Sequence, residues 1–299
     1  MRVFVTALDE GSLAAASRRL GRSPAAVTRA IASLESHVGV QLLHRTTRTI
    51  RLTEAGEHYA AACRRLLTDL EEADMLAAGE RAVPRGLLTI TAPIVAGTRI
   101  LRPILDAFLQ TQPAVQGRLV LLDRAVNLVD EGFDVALRIA HLPDSNLIAK
   151  RVGEVRQVVC AAPGYLAGKP AITKPADLAE HDGIAVAQLG LGDVWSFPPA
   201  AGSTHPHGVR VSSRLSVNTI ETGVGSAIDG RGIVRVLSYQ VEREVSDGRL
   251  VLLLENFEPP PLPVHIITPA GRLAVAKVRA FVDFAVPRLR TEFARMGRK

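Results

Sequence analysis

The stretch SLAAASRRLGRSPAAVTRAIASLESHV, residues 12–38, leaves little room for anything but two short helices meeting at a tight turn. Ser12 is placed to cap the first helix, in which Leu13, Ala16 and Leu20 recur at helical spacing. Gly21 supplies the turn and Ser23 caps the second helix. Pro24 stands at that helix's first position, where a missing N–H costs nothing. Val27, Ile31, Leu34 and Val38 follow at spacings of 4, 3 and 4, which makes one apolar stripe. The opposite face carries Ala25, Thr28, Arg29, Ala32 and Ser36, small and polar around one arginine. Small side chains let a helix approach a groove wall, while Arg29 can reach a base edge and Thr28 a base or a phosphate. An ordinary αα-hairpin with a solvated Arg29 has the same pattern, so these residues alone leave both readings open.

The next residues favour the first. Residues 42–53, LLHRTTRTIRLT, place Arg45, Arg48 and Arg51 among threonines, with β-branched residues alternating near the end. That suits a short wing along a phosphate backbone, and helix, turn, helix and basic wing make a winged helix-turn-helix. Charge agrees. The 299-residue chain has a formal net charge of +6. Residues 1–53 hold eight arginines and no lysine against Asp9, Glu10 and Glu35, a net +5, which leaves +1 for all the rest. A basic end on a nearly neutral body points to a polyanion partner for that end alone, and arginine's planar fork suits phosphate and guanine.

Thr53 is placed to cap a long helix over residues 54–81, with Glu54 and Glu57 in its first turn. Tyr59, Cys63, Leu66, Leu70, Ala73 and Ala77 then recur at spacings of 4, 3, 4, 3 and 4, a heptad seam. Such a helix is about 42 Å long at 1.5 Å per residue. Packing on its own chain is the alternative, since the small Ala73 and Ala77 weaken the seam's end, but pairing with a second copy is more economical, so Tyr59, Cys63, Leu66, Leu70 and Ala73 are the expected dimer contacts. Residues 83–86, VPRG, break the helix. Short apolar strands then alternate with helical segments, which argues for mainly parallel, doubly wound sheets. Strands are expected at 87–91, 117–122, 135–139, 155–161, 184–187, 209–215, 232–236, 250–254 and 265–268. Helices are expected at 100–108, 126–131 and 220–228, with closing helical material at 273–293.

Catalytic and metal readings find little support. GSAIDGRG, residues 225–232, has phosphate-loop glycines but Arg231 and Gly232 where that loop needs Lys and Ser/Thr. His205 and His207 lack a third ligand, and Cys63 and Cys160 form no metal spacing. No metal and no cofactor are expected. No uninterrupted apolar run is long enough for a membrane span, and residues 1–12 lack a signal-peptide pattern, so a cytoplasmic location is expected. Asp123, Arg124 and Arg138 fall at strand ends, where open α/β sheets bind ligands, and surface ion pairing is the open alternative for each.

The order of these parts resembles the LysR-type transcriptional regulators over essentially the whole length. The most specific motifs are SLAAASRRLGRSPAAVTRAIASLE and GVQLLHRTTRTIRLTEAG. LTITAP, LLDRAVNLVDEGFDVALRIA, CAAPGYL and RLSVN echo the family further on. The resemblance implies an all-α winged helix-turn-helix at 1–58, a dimerisation helix at 59–82, a hinge at 83–86 and an effector domain at 87–299. That domain would be α/β and two-lobed, like periplasmic binding proteins, with lobe I at 87–161 and 267–299 and lobe II at 162–266. Implied partners are double-stranded promoter DNA at interrupted palindromes, a small-molecule effector, RNA polymerase, and the chain itself as a homodimer and homotetramer. Carried over by position, Ser23, Ala25, Thr28, Arg29, Arg45, Thr46, Thr47 and Arg48 would contact DNA. Ile94, Val95, Arg124, Arg138, Ile139, Asn218 and Thr219 would contact effector. Arg231, unusual for the family beside the glycines, is a departure that could face the cleft. Pro24-Ala25 stands where many members have Gln-Pro, and Val95 where relatives often have Ser or Thr. The chain also begins inside the family's usual first helix, so a shortened start is expected. The rival is a two-lobed solute-binding or enzymatic α/β protein with an accessory helical domain, which the second half alone would also suit.

Overall fold

The computed structural model describes residues 1–44, 50–77, 83–143, 146–186, 194–199 and 207–296. The chain forms two compact units, one of Met1–Gly86 with Ala274–Ala276, the other of Leu87–Leu273 with Lys277–Lys299.

In the first unit α1 (Arg2–Asp9), α2 (Leu13–Leu20) and α3 (Pro24–Val38) precede a two-stranded ribbon, β1 (Leu43–His44) and β2 (Arg51–Leu52), and then α4 (Glu54–Ala77). The expected caps form: Ser12 Oγ accepts from the Ala15 N–H at 3.1 Å and Ser23 Oγ from the Ala26 N–H at 3.2 Å. Gly21 closes α2 at φ 61°, a left-handed conformation that glycine adopts without a Cβ penalty. The buried Ser17 hydroxyl donates to the Arg22 carbonyl at 2.6 Å and ties the turn shut. Ala7, Ala16, Val27 and Ile31 form one core, and Phe4, Val5, Leu42, Ala60 and Cys63 a second. The apolar stripe of α3 therefore faces inward.

The seam of α4 is divided. Cys63 is fully buried in its own unit's core and Tyr59 packs against that core, its ring 6.0 Å from Phe4. Cys63 is thereby corrected as a dimer contact, and Tyr59 is half-buried against the same core. They follow the end of the helix that lies over α1, where burial in the chain's own core claims them. Leu66 and Leu70, farther along, are 55% and 50% exposed. The side chain of Ala73 lies outside the described residues.

The second unit holds two five-stranded sheets. Its elements in chain order are β3 (Gly86–Ala92), α5 (Ile94–Ala96) running through a π-turn into α6 (Arg102–Thr111), β4 (Val115–Leu121), β5 (Val135–Ile139), β6 (Leu147–Val155), β7 (Gln157–Ala161), α7 (Pro163–Leu166), β8 (Asp182–Val186), the hairpin β9 (Val194–Phe197) and β10 (His207–Arg210), β11 (Ser212–Val217), α8 (Ile220–Ile228), β12 (Ile233–Leu237), α9 (Ser238–Ser246), β13 (Val251–Leu253), β14 (Leu262–Pro269) and α10 (Ala276–Met296). Lobe I has the order β4-β3-β5-β14-β6 and lobe II β11-β8-β12-β7-β13.

The expected lobe boundaries need correction. β7, assigned by sequence to lobe I, pairs with β12 and β13 of lobe II, and residues 262–266 of β14 pair with β5 and β6 of lobe I. The crossings fall at Arg156 and between β13 and β14. The sheets are also mixed rather than mainly parallel. β3–β5, β8–β11 and β8–β12 are parallel, whereas β7 and β14 run antiparallel to their neighbours. A strand that arrives straight from the other lobe, with no crossover helix, enters its sheet from the opposite end. β6 is a strand that sequence reading missed, because Lys150 and Arg151 hide a half-buried edge. Residues 126–131 form turns instead of a helix, held by the Asn127 side chain accepting from the Val129 N–H at 3.0 Å.

The core of lobe I lies on both faces of its sheet. Phe108 of α6 packs edge-on to Phe281 of α10 at 5.2 Å on one side. Leu128, Phe133, Ala136 and Ile267 cluster on the other.

Candidate nucleic-acid interface and effector cleft

With Val27 and Ile31 buried, α3 presents Ala25, Thr28, Arg29, Ala32 and Ser36 to solvent, together with the cap residue Ser23. The Thr28 hydroxyl donates to the Pro24 carbonyl at 3.0 Å, which leaves its oxygen lone pairs for an incoming donor. Arg18, Arg19 and Arg22 are exposed on the preceding helix and turn. This surface offers one long cation among short side chains, flanked by further cations, the arrangement a major groove and its phosphates accept.

Where the wing begins, Glu35 plays a part its sequence position did not advertise. Its Oε1 accepts from the Leu42 N–H at 2.8 Å and the Leu43 N–H at 3.0 Å, so α3 holds the start of β1 directly. β1 and β2 then pair antiparallel, Leu43 with Leu52 and His44 with Arg51. The expected wing contacts Arg45, Thr46, Thr47 and Arg48 lie outside the described residues. Thr53 Oγ1 accepts from the Gly56 N–H at 3.0 Å and donates to the Gln41 carbonyl at 2.8 Å. Gly56 lets the chain close there, since a Cβ on it would sit 2.0 Å from the Leu42 carbonyl oxygen.

In the second unit, the Ile94 N–H donates to Asp123 Oδ1 at 2.9 Å, which ties the start of α5 to the end of β4. Val95 is buried, so its side chain packs inward and offers no polar contact, while Ile94 and Ile139 remain half-buried. Arg124 is already committed: Nη1 and Nη2 fork onto Glu131 at 2.9 and 2.6 Å. The hydrogen bond from Arg124 holds the Glu131 carboxyl below its ordinary range and raises Arg124 in turn. Arg124 thus forms the surface ion pair that was its alternative reading. Arg138 differs. Its Nη2 is buried without a hydrogen-bond partner among the described residues, and burial lowers its pKa, with the Glu131 charge opposing that shift.

From lobe II come Asn218 and Thr219, between β11 and α8. Thr219 Oγ1 accepts from the Thr222 N–H at 3.3 Å, capping α8, and lies 2.7 Å from Thr222 Oγ1. Arg231 lies at the other end of α8, exposed in the turn where the Arg231 N–H donates to the Ser226 carbonyl, so it does not face this edge. The glycine-rich run is the exit of α8, not a phosphate loop. His205 lies outside the described residues and His207 belongs to β10. Among the described residues no group of His, Cys, Asp or Glu could hold a metal, and no helix is long and apolar enough to cross a membrane.

Sequence reasoning missed the residues by which the lobes touch. Arg99 Nη1 donates to the Gln240 carbonyl at 3.2 Å. The Gln240 side chain caps α9 by accepting from the Leu237 N–H at 2.8 Å and donates to the Tyr239 hydroxyl at 3.3 Å. Burial pushes the Tyr239 phenol up, and the Asp123 charge of lobe I adds to that push. The available signal was position: Tyr239 and Gln240 follow directly on β12, at a strand end of the kind that marked Arg138.

Comparison with known proteins gives one consistent picture. Residues 1–57 match the bacterial regulatory helix-turn-helix proteins of the lysR family, and residues 81–290 match the LysR substrate binding domain. An HTH-type transcriptional regulator of Xanthomonas campestris pv. campestris is 32% identical over 288 residues, covering 96% of this chain and 84% of that protein. The structure of CrgA, a LysR-type transcriptional regulator from Neisseria meningitidis, aligns with a TM-score of 0.61 at 28% identity, over 96% of this chain and 97% of that one. The full-length Vibrio cholerae virulence activator AphB aligns with a TM-score of 0.60 at 27% identity, over 96% and 97%.

Proposed function

Because the chain belongs to the LysR family of DNA-binding transcriptional regulators, we propose that α3 reads interrupted palindromic promoter sites and that a small molecule between the two lobes adjusts that binding. The observation that carries the DNA reading is the exposed face of α3, with Arg29 standing among Ala25, Thr28 and Ala32 opposite the buried Val27 and Ile31. In this reading Arg29 reads a base edge and Thr28 a base or phosphate, with Ser23 and Ala25 at close approach. Arg45, Thr46, Thr47 and Arg48 follow the backbone from the wing.

The exposed Leu66 and Leu70 of α4 pair with a second copy, and dimers assemble further into a tetramer. Ile94, Arg138 and Ile139 from lobe I and Asn218 and Thr219 from lobe II contact the effector. Arg124 shapes the wall by holding Glu131, and the buried Val95 supports the start of α5. RNA polymerase is the further partner, in the cytoplasm, and the protein acts without enzymatic chemistry.

Titration of operator and scrambled duplexes at one salt concentration tests the reading. Arg29→Ala weakens operator binding by about 1–3 kcal/mol, the worth of one good base contact, and leaves the scrambled duplex nearly unchanged. Equal losses on both duplexes place Arg29 on phosphate and remove the recognition role assigned to it.

A further inference from the structure

Lobe II contains a second cation that neither the family matches nor the cleft described above accounts for. Arg235, in the middle of β12, is 3% exposed. Its Nη2 donates to Gln157 Oε1 at 2.7 Å and to the Ser196 carbonyl at 2.8 Å, and its guanidinium lies 4.9 Å from the centre of the Phe197 ring. All three partners are neutral. Nε and Nη1 have no hydrogen-bond partner among the described residues, and no carboxylate there pairs with the side chain. Burial alone lowers the guanidinium to about 10.

A buried cation with two idle donors is costly unless an anion completes it. The side chain also leans in a definite direction. Arg235 pairs across the ladder with Val159, yet it reaches Gln157, the partner of Leu237, and so extends toward the end of β12. At that end the chain crosses between lobes: the Arg156 N–H donates to Ser238 Oγ at 3.2 Å and the Ser238 N–H to the Arg156 carbonyl at 2.8 Å. Gln157 is half-exposed, so this end of the site adjoins the surface.

We propose that Arg235, with Gln157 and the Ser196 carbonyl positioning it, is an anion-binding residue of lobe II that takes the carboxylate of an effector at the hinge edge of the β9–β10 hairpin. One buried positive charge among neutral groups is balanced by one negative charge, which favours a carboxylate over a doubly charged phosphate. The inference rests on the reading of the second unit as an effector-binding domain.

The chain carries its own reporter. Trp195, its single tryptophan, is buried in β9 next to Ser196. Sodium acetate or sodium phosphate is exchanged for sodium fluoride at constant ionic strength with the full-length protein, and Trp195 emission and the thermal midpoint are both followed. Acetate gives a saturable emission change and raises the midpoint, as any ligand that binds only the folded state must. Phosphate binds more weakly. In Arg235→Met the acetate response falls at least about tenfold, while Arg102→Met, at an exposed arginine of α6 paired with Asp106, keeps it. Arg235→Lys retains the charge without the planar fork and gives an intermediate response. Arg235→Met is expected to fold, because replacing an uncompensated buried charge by an apolar side chain is often neutral or stabilising.

No saturable response to acetate in either readout, or an equal response in Arg235→Met, overturns the assignment. Operator binding, measured on the same samples, separates the two readings. Loss of all operator binding by the parent protein sinks the regulator reading, whereas intact operator binding with no acetate response sinks only the role of Arg235.

Discussion

Glu35→Ala tests whether one carboxylate couples the recognition helix to the wing. Oε1 is the acceptor for two backbone donors, Leu42 at 2.8 Å and Leu43 at 3.0 Å, and Leu42 is completely buried. A hydrogen bond to a charged group contributes about 1.5–3 kcal/mol, and a buried donor left without a partner costs about 1–3 kcal/mol. Leu43 is only half-buried, so water can replace part of its bond. The loss for the pair is therefore about 2–4 kcal/mol. At 1.4 kcal/mol per factor of ten, amide exchange at Leu42 and Leu43 accelerates about 30- to 700-fold. Glu35→Gln keeps an oxygen acceptor without its charge and loses about half as much, since charge-assisted bonds are about twice as strong as neutral ones. Hydrogen exchange of the full chain reads both amides individually, and operator affinity measured alongside falls in the same order. Unchanged exchange in Glu35→Ala, or equal acceleration in both variants, would refute the coupling.

Gly56→Ala forces a methyl onto the Leu42 carbonyl and destabilises the first unit by about 1–3 kcal/mol, read as a lower thermal midpoint; an unchanged midpoint would mean that α4 shifts freely there. Arg48→Ala weakens binding to all duplexes alike and flattens the slope of log K against log salt by about 0.9, the signature of one lost phosphate contact. An unaltered slope removes that contact. Leu70→Asp puts a carboxylate on the exposed part of the α4 seam and dissociates the proposed dimer in sedimentation, while the second unit keeps its own melting transition. If oligomer and operator affinity both stay as in the parent, the seam is not the dimer contact.

What the sequence determined by itself was local. Serine caps, the Gly21 turn, the 4-3-4 stripe of α3 and the clustering of arginine in residues 1–53 all act over a few residues, and α2, α3 and their solvent face could be read from them. Most strand positions in the second unit, β6 and β9 excepted, were legible for the same reason, as short apolar runs. Their partners were not, because pairing depends on which end a strand enters its sheet from. Tertiary structure therefore decided that β7 belongs to lobe II and β14 to lobe I. It also decided which arginines are committed. Arg124 and Arg138 both fall at strand ends and read alike in sequence, yet a turn seven residues on brings Glu131 to Arg124 and leaves Arg138 Nη2 unpartnered among the described residues. Cys63 and Leu70 share one heptad seam, and only the packing of α4 over α1 buries the first and exposes the second. Arg235 sits in an apolar strand that reads as ordinary core. Its isolation appears only when Phe197 and Ser196, about 40 residues earlier in the chain, close over it, because the cost of a buried charge depends on neighbours that no local pattern specifies.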